Sequence, residues 1–88
     1  SSTPQDLVNQ LVIAIEELMN RRNDRIESYS VFLSDIVKNT YVITVEFFTA
    51  TIPVSDFNEL RQSINLSIID LLSNMKIKLG KDGETKEV

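Results

Sequence analysis

The side chains that could do chemistry in this 88-residue chain are mainly its thirteen carboxylates and nine Lys or Arg groups. There is no His and no Cys. The commonest general base and metal ligand is therefore missing, along with thiol and disulfide chemistry. The carboxylates do not form a convincing acid–base pair. Glu16 and Glu17 are adjacent, and Glu84 and Glu87 fall in a polar C-terminal stretch. Asp6, Asp56 and Glu59 sit where carboxylates favour helix N-termini. Glu46 interrupts an apolar run and is expected to point outward from a strand. Gly80 and Gly83 cannot build a phosphate-cradling loop, because "GKDG" lacks the P-loop spacing. The expectation is a protein that is not an enzyme, with no catalytic residue, no metal site and no cofactor.

The charge balance bears on partners. A net charge of −4 and a pI near 4.6 leave no cationic footprint for phosphates, so nucleic acid is not an expected partner. Arg21, Arg22 and Arg25, interrupted by Asp24, read as a solvated turn. No small-molecule substrate is expected either. The longest apolar run, "LVIAI" at Leu11–Ile15, is far short of the roughly 20 residues a membrane helix needs. The chain opens Ser-Ser-Thr-Pro without an initiator Met, and the expectation is an excised piece of something longer. Residues 1–80 are expected to form one domain, and 81–88 a flexible polar tail.

The elements follow from periodicity. Thr3-Pro4-Gln5-Asp6 is a helix start, and Leu7, Leu11, Ile15 and Leu18 then recur at helical spacing, widened by Val8, Val12 and Met19. "SYSVFL" alternates, with Tyr29, Val31 and Leu33 on one face. "SDIVKN" is the expected hairpin connection. A second strand of about thirteen residues, from Thr40 to Ile52, puts Tyr41, Ile43, Val45 and Phe47 on one side and Val42, Thr44, Glu46 and Phe48 on the other. Asp56 and Glu59 then have the spacing of a capping box. They precede the stripe Phe57, Leu60, Ile64, Ile68, Leu71 and Met75. A short strand is expected at Ile77–Leu79.

The order is thus α-β-β-α-β, an α+β fold. It matches a ferredoxin-like two-layer sandwich whose first strand is missing, with two helices on one face of an antiparallel sheet. Either a partner chain or a rearranged terminus must cover the gap. Some apolar residues do not fit the internal core. Leu66 lies about opposite the Phe57–Leu60–Ile64 stripe, and Ile13 opposite the stripe of the first helix. With Ile69, Phe32, Val42 and Phe48, they are the candidate interface residues for contact with another subunit.

The run "YSVFLSDIVKNTYVITVEFFTATIPVSDFNELRQSINLSIIDLLSNMKIKL" resembles the cytoplasmic C-terminal α/β region of small-conductance mechanosensitive channels. Arg61, Ile64, Asn65, Leu66 and Ile68 match an R-x-x-I-N-L-x-I helix core, and the likeness extends back through "LVNQLVIAIEELMNRRNDRI". The sequence departs from the family pattern at the corner glycine, replaced in "DIVKNT", and in "IKLGKDGETKEV", which stands where a proline-containing apolar stretch is usual. The resemblance implies a domain on the cytoplasmic side of a cell (inner) membrane protein involved in osmotic regulation. It would help form the vestibule below a tension-gated pore and self-associate within a ring-shaped homo-oligomer. The gate would lie in membrane helices elsewhere, and the missing first strand upstream. Two other readings remain open: a ferredoxin-like regulatory or ligand-sensing domain, and the cytosolic domain of a cation-efflux transporter.

Overall fold

The computed structural model describes residues 3–77. Helix α1 spans Pro4–Asn20, strand β1 Ser28–Val37, strand β2 Thr40–Phe48 and helix α2 Val54–Asn74. Among the described residues the fold is α+β, two helices with a two-stranded antiparallel sheet.

Helix α1 begins where the sequence places it. The Thr3 hydroxyl accepts from the Asp6 amide at 3.1 Å, and the Thr3 amide donates to Asp6 Oδ2 at 3.4 Å. This reciprocal box satisfies two amides that the first turn leaves without helical partners. Ile15, Leu18 and Met19 are buried and Leu11 and Val12 pack beside them, whereas Leu7 at the head of the stripe is exposed. The turn after α1 carries Ile26 into the core, with its amide bonded to Arg22 O at 2.9 Å. Ile26 lies outside any periodic run, so no face pattern marks it as buried.

The hairpin pairs Tyr29 with Phe47, Val31 with Val45 and Leu33 with Ile43, and alternation puts these on one face. Tyr29, Val31, Ile43, Val45 and Phe47 all pack in or against the core. Ser28–Phe48, Ser30–Glu46 and Phe32–Thr44 lie on the outer face.

The connection differs from expectation. The residues read as a six-residue loop, 34–39, are mostly strand: β1 continues to Val37 and only Lys38 and Asn39 turn. Both have positive φ, 50° and 65°, as a tight hairpin turn matched to the strand twist requires. The register shifts between Leu33 and Asp35, so an extra residue, Ser34, enters β1 as a bulge. Past the bulge the alternation is reset, and Ile36 stands opposite Tyr41. This reset hid the strand from a simple period-2 reading.

Strand β2 is also shorter than expected, ending at Phe48 and not at Ile52. Its partner sets the limit. The ladder closes with Glu27 N–H on Phe48 O at 2.8 Å, and beyond it the Thr49 hydroxyl turns to Ala50 O at 2.8 Å. Apolar β-branched residues alone do not prolong a strand with nothing beside it.

The expected Asp56–Glu59 capping box is not formed. Helix α2 starts earlier, with Pro53 at the N-cap, no side-chain cap, and Asp56 inside the first turn. There Asp56 favours the positive end of the helix dipole instead of accepting a capping bond. Phe57 stacks on Phe47 with ring centroids 5.4 Å apart, fixing the start of α2 to β2. Leu60 and Ile64 are fully buried, and Ile68 and Leu71 pack around them.

The C-terminus of α2 is a Schellman turn. Lys76 takes φ 59°, its amide bonds Ser73 O at 3.0 Å, and the Ile77 amide bonds Leu72 O at 2.8 Å. Ile77 therefore ends a helix and is not in a strand. The rest of the expected last strand, Lys78 and Leu79, lies outside the described residues, as does the expected tail 81–88.

Candidate interaction surface

All six interface candidates are exposed: Ile13, Phe32, Val42, Phe48, Leu66 and Ile69. They do not form one patch. Phe32, Val42 and Phe48 lie on the outer face of the sheet, while Ile13, Leu66 and Ile69 belong to the helical layer. On the sheet, Phe32 and Val42 are diagonal neighbours across the two strands. Phe48 stands at the far end of β2, 64 % exposed.

Between them runs a polar row. Ser30 Oγ donates to Glu46 Oε1 at 3.3 Å, Thr44 Oγ1 to Ser34 Oγ at 2.8 Å, and Ser34 Oγ to Val42 O at 3.1 Å. These bonds tie the hairpin together across its outer face. The Glu46 carboxylate holds a serine hydroxyl and is exposed, which agrees with its expected outward position.

The helical layer has a polar tie of its own. Arg22, expected in a solvated turn, is half-buried: its guanidinium donates to Leu18 O and to Ser67 Oγ, each at 3.0 Å. One side chain thus satisfies a carbonyl near the end of α1 and links α1 to α2. Sequence separation hid the bond to Ser67, since the two residues are 45 positions apart.

Further apolar surface escaped the sequence reading. Leu33, Ile36, Val37, Tyr41 and Val54 are also exposed. A cleft of about 720 Å³ opens between the N-terminal half of α1 and β1, lined in part by Val8, Val12, Leu33, Ile36 and Tyr41. A second groove, of about 400 Å³, lies toward β2 and is lined in part by Leu7, Leu11, Tyr41, Ile43 and Ile77. The bulge at Ser34 is the signal for the first, because it brings Ile36 opposite Tyr41.

Among the described residues no group of three or more His, Cys, Asp or Glu could hold a metal ion. No helix among them is long and apolar enough to cross a membrane. Comparison with protein-family models, with curated proteins and with solved structures finds no match.

Proposed function

We propose that this chain is the cytoplasmic α/β domain of a small-conductance mechanosensitive channel, a non-enzymatic wall element of the oligomeric vestibule below a tension-gated pore. The observation that carries the reading is the two-sided character of α2. Within the R-x-x-I-N-L-x-I stretch Ile64 is buried, while Leu66, two residues on and about opposite, is 53 % exposed. Ile69 is exposed as well. A helix with apolar residues on its outer side suits a domain that packs against neighbouring subunits.

In this reading the hairpin and the two helices form most of a ferredoxin-like unit, and another strand belongs beside β2. The domain contributes no gate and no ion ligand. It gives a folded surface on which subunits meet, while tension is sensed by membrane helices elsewhere in the parent chain. The coding sequence upstream of Ser1 tests this. The reading expects membrane-spanning segments of about 20 apolar residues there. An upstream frame without one contradicts it.

A second reading is a ligand-sensing domain, in which the open cleft between α1 and β1 would take the ligand. A rise in melting temperature with a panel of amino acids or nucleotides would support it, and no shift across the panel would count against it.

A further inference from the structure

The two edges of the hairpin are treated differently. Along β1 the edge is blunted twice, by the bulge at Ser34 and by Asp35, whose Oδ1 accepts the Ile36 amide at 2.8 Å. Since Ile36 opposes Tyr41 and its amide turns to its own neighbour's side chain, Ile36–Tyr41 is a non-hydrogen-bonded pair. Alternation along β2 then directs the peptide groups of Tyr41, Ile43, Val45 and Phe47 away from β1, toward the other edge.

That edge carries none of the usual protections. "TYVITVEFF" has no proline, no lysine and no bulge. Its single charge, Glu46, has its side chain on the outer face, held by Ser30. Among the described residues no strand pairs with this edge. The apolar groove lined by Leu7, Leu11, Tyr41, Ile43 and Ile77 runs beside it.

We propose that the edge is taken by β2 of a second copy, antiparallel about a two-fold axis at Thr44, giving a four-stranded sheet in the order β1-β2-β2-β1. This pairing engages the whole strand, with Thr40 opposite Phe48 of the other copy. It also suits the side chains. On the helical side Tyr41 meets Phe47 and Ile43 meets Val45, aromatic and β-branched pairs that stabilise neighbouring strands. On the outer side Glu46 faces Val42, so the two Glu46 carboxylates are not opposed. The two Thr44 side chains meet on the axis as a non-hydrogen-bonded pair, where side chains come closest. The peptide groups of Tyr41, Ile43, Val45 and Phe47 all find partners. β2 is its own complement, and this identifies the occupant as a second copy. The proposal stands on the strand edge of the 88-residue chain. The channel reading gives this same edge to an upstream strand, so in the parent protein that strand and a second copy compete for it.

Sedimentation and amide hydrogen exchange on the 88-residue chain test it. A dimer is expected, in which the amides of Tyr41, Ile43, Val45 and Phe47 gain protection as concentration rises while that of Ile36 does not change. Thr44→Lys and Thr44→Glu should each weaken the dimer about threefold to fivefold, because like charges meet on the axis. An equimolar mixture of the two should recover a heterodimer at least as tight as the unsubstituted dimer. Three results overturn the proposal: a strict monomer, a dimer whose four amides stay unprotected, or protection that does not depend on concentration. The second would place the contact on the outer face, and the third would give the edge to residues 78–88 of the same chain.

Discussion

Three residues in the described chain adopt positive φ, and none is glycine: Lys38, Asn39 and Lys76. For a lysine this conformation is strained by roughly 1–2 kcal/mol, and the hairpin turn and the Schellman turn hold it in place. Lys76→Gly should therefore stabilise the fold by about 0.5–1 kcal/mol, after allowing for glycine's greater freedom in the unfolded chain. Asn39→Gly should have the same sign and a smaller effect, since asparagine already tolerates the left-handed region. Chemical denaturation of each variant checks both, and loss of stability at Lys76→Gly would show that the left-handed geometry there costs little. The absence of glycine also explains why the sequence concealed these turns. "SDIVKN" has no glycine signal, so a two-residue turn read as a longer loop. Arg22 was hidden for a different reason. Its partner Ser67 is contributed by the far helix, and only the packed fold brings them together. Arg22→Ala should cost about 1.5–3 kcal/mol, as a charged hydrogen bond does. In a double-mutant cycle with Ser67→Ala, the coupling should be clearly above the noise expected for independent sites.

At the scale of elements, hydrophobic spacing gave both helices and the packed faces of both strands, but not every end. Each error has a local competitor. The bulge at Ser34 reset the alternation of β1, the end of its partner stopped β2, and Pro53 started α2 before Asp56 could cap it. The contrast along α2 is open to measurement. Leu60→Ala removes a fully buried side chain and should cost about 2–5 kcal/mol. Leu66→Ala removes an exposed one and should stay within about 0.5 kcal/mol in the monomer. Thermal melts at low protein concentration separate the two. Equal losses would mean that Leu66 is packed within its own chain, and its outward role would fall.

For the whole molecule, the buried apolar core among the described residues comprises Ile15, Leu18, Met19, Ile26, Val31, Leu60 and Ile64, a small set. More large hydrophobics are exposed than buried among the described residues. The sequence made this surplus visible at Ile13, Leu66 and Ile69, which fall off the helical stripes, and at Phe32, Val42 and Phe48, which share the outer sheet face. Their division between two surfaces also follows from the expected placing of both helices on one face of the sheet. The surplus is the common ground of the channel reading and of the paired β2 edge: both place another chain against surface that this fold leaves uncovered. Sedimentation equilibrium of the 88-residue chain over a wide concentration range tests that most directly. The account predicts an average mass rising above the 10.0 kDa of one chain, and a constant 10.0 kDa up to the highest soluble concentration would contradict it.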